Sequence, residues 1–231
     1  MKKRNYKLNI KEILKATLTF ALFWYSSYFQ LIPITLFNIN LKNINGTTEV
    51  LLSSFSNTIL LIILFIMYKK ELKKEWMIFK SKFLDNIDIG FKYWIIGLFG
   101  MVFFNFIFNV LLQGGQANNE QAVQSMISSL PWLMVINAGF IAPIIEEIIF
   151  RKAFKNIFKN KWLFIVSSGI IFGLMHVITS SYNILDFLYF VPYSSLGLAF
   201  AYMYHKTDTV FTSTFMHIIH NTILILFSIA L

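Results

Sequence analysis

Two adjacent carboxylates, Glu146 and Glu147, sit in the apolar run APIIEEIIFRKAF. Three of the four histidines, His176, His217 and His220, also lie inside apolar segments, while His205 lies between two of them. Ionisable groups in such surroundings are costly and mark function. Carboxylate and imidazole are the groups of general acid–base hydrolysis. Glu146, His176 and His217 would equally make a zinc set, although they lack the compact spacing of a HExxH helix. Glu147 precedes Arg151 by four residues, the favoured order for an ion pair on one helix face. Glu146 is rotated about 100° from Glu147 and precedes apolar Phe150 by four. This spacing assigns Glu146 as the free base and Glu147–Arg151 as a brace. Asn221 follows His217 by one turn on the same face. His220 is off that pattern and reads as packing or as a supporting partner. The chain has no cysteine, which excludes disulfides, thiolate metal sites and a cysteine nucleophile.

The elements that position these groups are membrane helices. Of 231 residues 57% are hydrophobic and 13% charged, with mean hydropathy +0.64; a soluble domain carries about 25% charged residues. The fold class expected is all-α, a polytopic transmembrane bundle of about seven spanning helices: 16–37, 50–68, 91–112, 130–150, 162–180, 184–204 and 209–231. The stretch 72–89, where Trp76, Phe79 and Phe83 alternate with lysines, is expected as an amphipathic interfacial helix. Residues 38–45 read as a short Asn-rich loop. Residues 1–90 form an N-terminal pair of helices with a cytoplasmic linker, and residues 91–231 the core.

The net charge of +9 does not indicate nucleic acid, because the basic residues fall in alternate connections. Lys2, Lys3, Arg4, Lys7 and Lys11 precede the first span, six lysines follow the second, Arg151 to Lys161 follow the fourth, and Lys206 follows the sixth. The intervening connections hold Lys42 alone. This is the positive-inside pattern of a multi-pass cell-membrane protein with N-terminus cytoplasmic and C-terminus outside. The N-terminal run resembles the start of a signal peptide, but its apolar segment is too long and has no small-residue cleavage site, so it is expected as a retained helix. The Lys-, Asn- and Phe-rich composition points to a low-GC bacterium.

If the fourth and fifth helices form a hairpin turning near Lys161, Glu146 and His176 lie equally far from the turn, about 22 Å along each helix. The basic stretch Arg151–Lys159 is expected to carry the fourth helix into the cytosol, and His217 lies eleven residues after Lys206. Both place the site in the cytoplasmic half of the membrane. Pro131 and Pro143 start or kink the fourth helix, and a kink at Pro143 would open backbone groups beside Glu146. Asn105, Asn109 and Asn137 are expected to hydrogen-bond between helices, with lining a groove as the second option.

Three short motifs fall in order on successive apolar helices. EEIIFR (Glu146, Glu147, Arg151) resembles EExxxR, FGLMH (Phe172 to His176) resembles FxxxH, and HIIHN (His217 to Asn221) resembles HxxxN. In this the sequence, over roughly residues 90–231, resembles the CPBP group of intramembrane proteases. These are the CAAX-processing and bacteriocin-processing, or Abi, enzymes, which include the type II CAAX prenyl endopeptidases. The resemblance implies an intramembrane endopeptidase with Glu146, Glu147, Arg151, His176, His217 and Asn221 as functional residues and Phe172 as a structural one. Its substrate would be a small hydrophobic or membrane-associated peptide in contact with the lipid bilayer. Bacteria mostly lack prenylated proteins, which turns the expectation from CAAX cleavage itself toward peptide pheromones, leader peptides or bacteriocin precursors. A divalent metal such as zinc on Glu146, His176 and His217, and a metal-free mechanism with a glutamate-activated water, both satisfy these residues. Two rival readings are a non-catalytic scaffold or bacteriocin self-immunity protein of the same fold, and a transporter or proton channel.

Overall fold

A computed structural model describes residues 10–111, 117–178 and 187–230, and no strand occurs among them. The basic residues Lys2, Lys3, Arg4 and Lys7, the connection 112–116 and the stretch 179–186 lie outside the described residues. The helices are α1 (Ile10–Trp24), α2 (Leu31–Leu36), α3 (Gly46–Ser81), α4 (Phe83–Leu111) and α5 (Asn118–Ser129). They continue as α6 (Pro131–Ile157), α7 (Lys161–Val177), α8 (Phe190–Thr207) and α9 (Val210–Ala230).

Within the described residues, each expected span falls largely on helix. α3, α4, α6 and α9 are long and apolar enough to cross a membrane. The first expected span is instead interrupted by a 3-10 turn at Ser26–Gln30, between α1 and α2. α7 has 17 residues. α8 has 18 but carries Tyr193, Ser194, Ser195, Tyr202 and Tyr204 along its length. α4 turns Phe99, Val102, Phe103, Phe106 and Val110 outward, the surface expected toward lipid. Between residues 112 and 130, where the sequence suggested only a connection, lies α5. The Asn-rich loop ends at Asn45, whose side chain accepts the Thr48 N–H at 2.8 Å and caps α3.

Residues 72–89 are not a separate interfacial helix. α3 runs unbroken to Ser81, the chain reverses at Lys82, and α4 begins at Phe83. The cause is Glu75, which is buried in the bundle rather than facing headgroups. Its Oε1 accepts from Lys152 Nζ at 2.6 Å and from the Tyr204 hydroxyl at 2.8 Å, and its Oε2 accepts the Val210 N–H at 2.8 Å. Thr209 Oγ1 donates to the Glu75 carbonyl at 3.0 Å. One carboxylate thus ties α3, α6, α8 and α9 together at the lysine-rich end. Glu146 and Glu147 are therefore not the only buried acids, and Lys152 is an interior partner rather than a loop charge. At the same end Asp208, in the left-handed conformation (φ 53°), turns α8 into α9 and pairs with Lys155 at 2.8 Å.

α7 and α8 cross closely. Gly169 and Gly173, spaced as in small-xxx-small membrane interfaces, lie against Leu198 and against Ser194 and the Phe190 backbone. A side chain at Gly173 would displace α8 and carry His176, three residues on, out of position.

Truncating Glu75 leaves Lys152 charged, buried and unpaired, a loss of about 3–5 kcal/mol for a buried pair. Glu75→Ala is expected to lower the thermal unfolding midpoint of the purified protein in detergent. Glu75→Ala combined with Lys152→Met is expected to recover part of that loss. A midpoint unchanged in Glu75→Ala would show that the cluster does not hold the helices.

Candidate active site

α6 carries the acidic residues on an irregular backbone, with π-helical turns at Asn137–Ile141 and Glu147–Ala153. Such turns are rare and concentrate at functional sites. The first follows from Pro143. The Ala142 N–H reaches back five residues to the Asn137 carbonyl. In the same register the Ala138 carbonyl faces the nitrogen of Pro143, which has no hydrogen. Asn221 of α9 supplies the missing donor, its Nδ2 lying 3.1 Å from Ala138 O. The expected opening of the backbone near Glu146 is present, and it locks α6 to α9. Asn137 is also held, accepting from Asn57 Nδ2 at 3.0 Å.

The second π-turn holds the brace. The side chains of Glu147 and Arg151 have no exposed area and pair at 3.4 Å. Arg151 Nη1 approaches Ser168 Oγ at 3.5 Å, and Ser168 Oγ donates to the Phe150 carbonyl at 2.6 Å. The guanidinium lies 4.6 Å from the centre of the Phe172 ring and 5.7 Å from that of Phe200, so its remaining surface rests on aromatic faces.

The brace orients the first histidine. His217 Nδ1 lies 3.1 Å from Glu147 Oε1. A carboxylate beside a guanidinium accepts, so this bond assigns the hydrogen to Nδ1 and leaves Nε2 a bare acceptor. That Nε2 faces Glu146 Oε2 at 3.6 Å. The ring stacks on Phe200 with centroids 4.7 Å apart. His176 is set by its own helix: Nδ1 donates to the Phe172 carbonyl at 2.8 Å, and Nε2 lies 4.0 Å from Glu146 Oε2. Its ring is held between Phe172, at 4.4 Å, and Tyr193, stacked at 4.6 Å. Glu146 Oε2 is buried and accepts no hydrogen bond from the described residues. One carboxylate oxygen and two imidazole lone pairs therefore face a common point.

A cavity of about 450 Å³ reaches this point, within the range of ligand-binding pockets. Glu146, His176, His217 and Asn221 line it, whereas Glu147 and Arg151 stand behind the wall. All six sequence-derived residues are thus gathered, four at the cavity and two in support. Phe172 has the structural role expected of it, touching Phe150, His176, His217 and Arg151. His220 lines the wall and accepts from Trp94 Nε1 at 3.4 Å. Asn105 lines the cavity too, while Asn109 is exposed.

Sequence reasoning missed Tyr193, Phe200 and the whole of α5. The signals were weak: Tyr193 and Phe200 are ordinary residues of an apolar segment. α5 is too polar for a span, yet its Asn119, Glu120 and Gln124 line the mouth, and Asn119 Nδ2 donates to the Tyr193 hydroxyl at 3.4 Å. One of the grounds for placing the site in the half nearest the basic connections changes in the structure. Arg151 and Lys152 are buried in α6 rather than projecting from it, and the cavity runs from Glu146 toward α5, away from the lysine-rich end.

As the side chains stand, no three His, Asp or Glu groups among the described residues are close enough to hold a metal ion. The separations of 3.6 and 4.0 Å around Glu146 Oε2 exceed the roughly 3.3 Å between ligands of a tetrahedral zinc with bonds of about 2.0–2.1 Å.

The two glutamates should separate in a stability measurement. Glu147→Ala strands a buried guanidinium and is expected to lower the unfolding midpoint sharply, by the equivalent of about 3–5 kcal/mol. Glu146→Ala removes a carboxylate that no protein donor holds and is expected to leave the midpoint nearly unchanged. Equal losses from both would erase the distinction between brace and base.

Similar proteins bear on the same residues. The sequence pattern of the family described as type II CAAX prenyl endopeptidase Rce1-like matches residues 128–223, the span from the end of α5 through Asn221. The chain is 29% identical over 150 residues to "Putative membrane peptidase YdiL" of Bacillus subtilis, covering 62% of this chain and 58% of that protein. It is 34% identical over 97 residues to UPF0177 protein YajF of Lactococcus lactis, covering 42% and 45% of the two chains. With UPF0177 protein YaiF of the same organism it shares 30% identity over 165 residues, covering 69% of this chain and 67% of the other. The chain thus spans roughly half the length of the first two of these curated relatives. No solved structure matches. The match over the helices that carry Glu146, His176, His217 and Asn221, with the extended similarity to YaiF, shows that this chain belongs to the Rce1-like family.

Proposed function

We propose that this membrane protein is an intramembrane endopeptidase that hydrolyses a peptide bond of a small hydrophobic or membrane-associated substrate through a water activated by Glu146. The observation that carries the proposal is the convergence of Glu146 Oε2 with the Nε2 atoms of His176 and His217 at a cavity. Three acceptors around one point suit a water molecule, which donates its two hydrogens to two of them and turns an oxygen lone pair toward the cavity. In the attack that oxygen bonds to the scissile carbonyl carbon, one proton passes to Glu146, and the carbonyl oxygen becomes an oxyanion. Asn221 keeps a second amide N–H beyond the one given to Ala138 O and is the neutral donor on this wall for the oxyanion. When the intermediate collapses, the C–N bond breaks and Glu146 returns its proton to the leaving amine. The products are a carboxylic acid and an amine, and no serine or cysteine takes part. The surrounding Phe150, Phe172 and Phe200 keep the site dry, which strengthens each of these interactions.

The bonds that fix the two rings support this division of labour. His176 on a backbone carbonyl and His217 on a carboxylate are also arranged as metal-bound histidines are. Glu146, His176 and His217 are the residues that would meet a divalent cation, but the steps above use none. Bacterial relatives, one of them named as a membrane peptidase, support a cell-membrane setting in a bacterium, and the alternation of basic connections supports a cytoplasmic N-terminus.

The test is a cleavage assay with purified protein in liposomes, a library of apolar peptides, and the variants Glu146→Gln, His217→Ala and Asn221→Ala. Wild type is expected to cleave. Glu146→Gln is expected to lose at least two orders of magnitude in rate, on the scale of general base catalysis, about 10²–10⁴-fold. A chelator arm decides the metal: full activity in its presence supports the metal-free steps. Peptide cleavage unaffected by Glu146→Gln would end the proposal. A folded wild type that cleaves nothing in the library, while protecting cells from a bacteriocin equally well as Glu146→Gln, would replace it with the non-catalytic immunity role.

A further inference from the structure

The cavity has a direction, and the charges of the chain give that direction a side. Its floor is Phe150, Phe172, Phe200 and His217. Behind the floor lie the unexposed Glu147 and Arg151, and beyond them Glu75, Lys152 and Tyr204 close the bundle. The residues lining the rest of the cavity belong to the opposite ends of the helices. On α4 they are Met101 and Asn105 in its second half, and on α7 Met175 and His176 in its last turn. On α8 they lie in the first eleven residues, and on α9 they continue as far as Ser228. Glu120 and Gln124 of α5 are exposed at the rim.

The connections at the sealed end carry Lys69 to Lys82, Lys155, Lys159, Lys161 and Lys206. Of the 20 lysines and arginines in the sequence, only Lys42 belongs to a connection at the open end. Short basic connections stay in the cytoplasm. The sealed end is therefore cytoplasmic, and the cavity opens on the other side of the membrane.

We infer that the site takes its substrate from the extracytoplasmic face: a secreted or translocated peptide, or an outward-facing segment of a membrane protein, rather than a cytoplasmic chain end. In naming a substrate this rests on the endopeptidase reading, but the direction of the opening does not. Among the described residues no Lys or Arg side chain lines the cavity, and the acidic ones that do are Glu120 and Glu146. A neutral or basic peptide therefore meets no like charge on the way in.

The chain lacks cysteine, so single cysteines can be read without background. Gln124→Cys at the rim, Asn105→Cys in the cavity wall and Lys74→Cys at the sealed end would be expressed separately in bacterial cells and treated with a small membrane-impermeant thiol reagent, before and after permeabilisation. The expected result is modification of Gln124→Cys and Asn105→Cys in intact cells and of Lys74→Cys only after permeabilisation. Modification of Lys74→Cys in intact cells with Gln124→Cys protected would reverse the orientation and overturn the inference. Gln124→Cys reacting in intact cells while Asn105→Cys reacts only after permeabilisation, or in neither state, would show that the cavity does not open outward and would overturn it as well. These outcomes do not depend on catalysis. Loss of the endopeptidase reading would show instead in the liposome assay, with the labelling pattern unchanged.

Discussion

An arginine with no exposed side-chain area, set within a membrane-crossing helix, has to be neutralised inside the protein. Arg151 meets this constraint with Glu147 one turn away, and much of the site follows from how that pair is completed. Breaking a buried pair is far more costly than its net contribution to folding, so each neighbour is held to one arrangement. Phe172 and Phe200 cover the guanidinium. Glu147 Oε1, the oxygen that faces Arg151, also takes the His217 N–H, and that bond decides which nitrogen of His217 faces the cavity. The same phenyl rings that cover Arg151 pack against His217 and His176. A structural ion pair thereby sets the tautomer and aim of one catalytic-type imidazole and the packing around the other.

Pro143 works through the backbone in a comparable way. By withdrawing one N–H it leaves the Ala138 carbonyl without a helical partner, and Asn221 takes it up. Asn221 is at once the clamp between α6 and α9 and a residue of the cavity wall. This dual role explains why an asparagine suits the position: its amide has one N–H for the carbonyl and one for a ligand. A leucine of similar volume would leave a buried carbonyl unpaired, a cost in the range of about 1–3 kcal/mol.

The sequence made the helical class legible and named six residues that the structure gathers around one cavity, because both readings rest on local pattern. Long apolar runs and the spacings Glu147–Arg151 and His217–Asn221 need no knowledge of tertiary structure. What was not legible depends on pairing across the bundle. Lys152 looks like a loop charge until Glu75, 77 residues earlier in the chain, is found beside it. Glu75 in turn looks like part of an interfacial helix until it proves to be buried. α5 escaped because an amphipathic helix capping a cavity resembles a polar connection when its partner surface is unseen. Arg151 was hidden for the same reason: like Lys152, it reads as part of the basic membrane boundary and is an interior group.

The two buried ionic clusters also divide the molecule functionally. The one at Glu75 gathers α3, α6, α8 and α9 and closes the lysine-rich end. The one at Arg151 supports the floor of the cavity. At the lysine-rich end the buried carboxylate of Glu75 is fully engaged, whereas toward the cavity Glu146 Oε2 is left without a donor among the described residues. A hydrolase inside a membrane needs water at one point and must exclude it elsewhere. Two neutralised ion pairs stacked behind Glu146 fit that requirement: α6 carries charge along much of its length, and among its described acidic residues Glu146 is the one that lines the cavity.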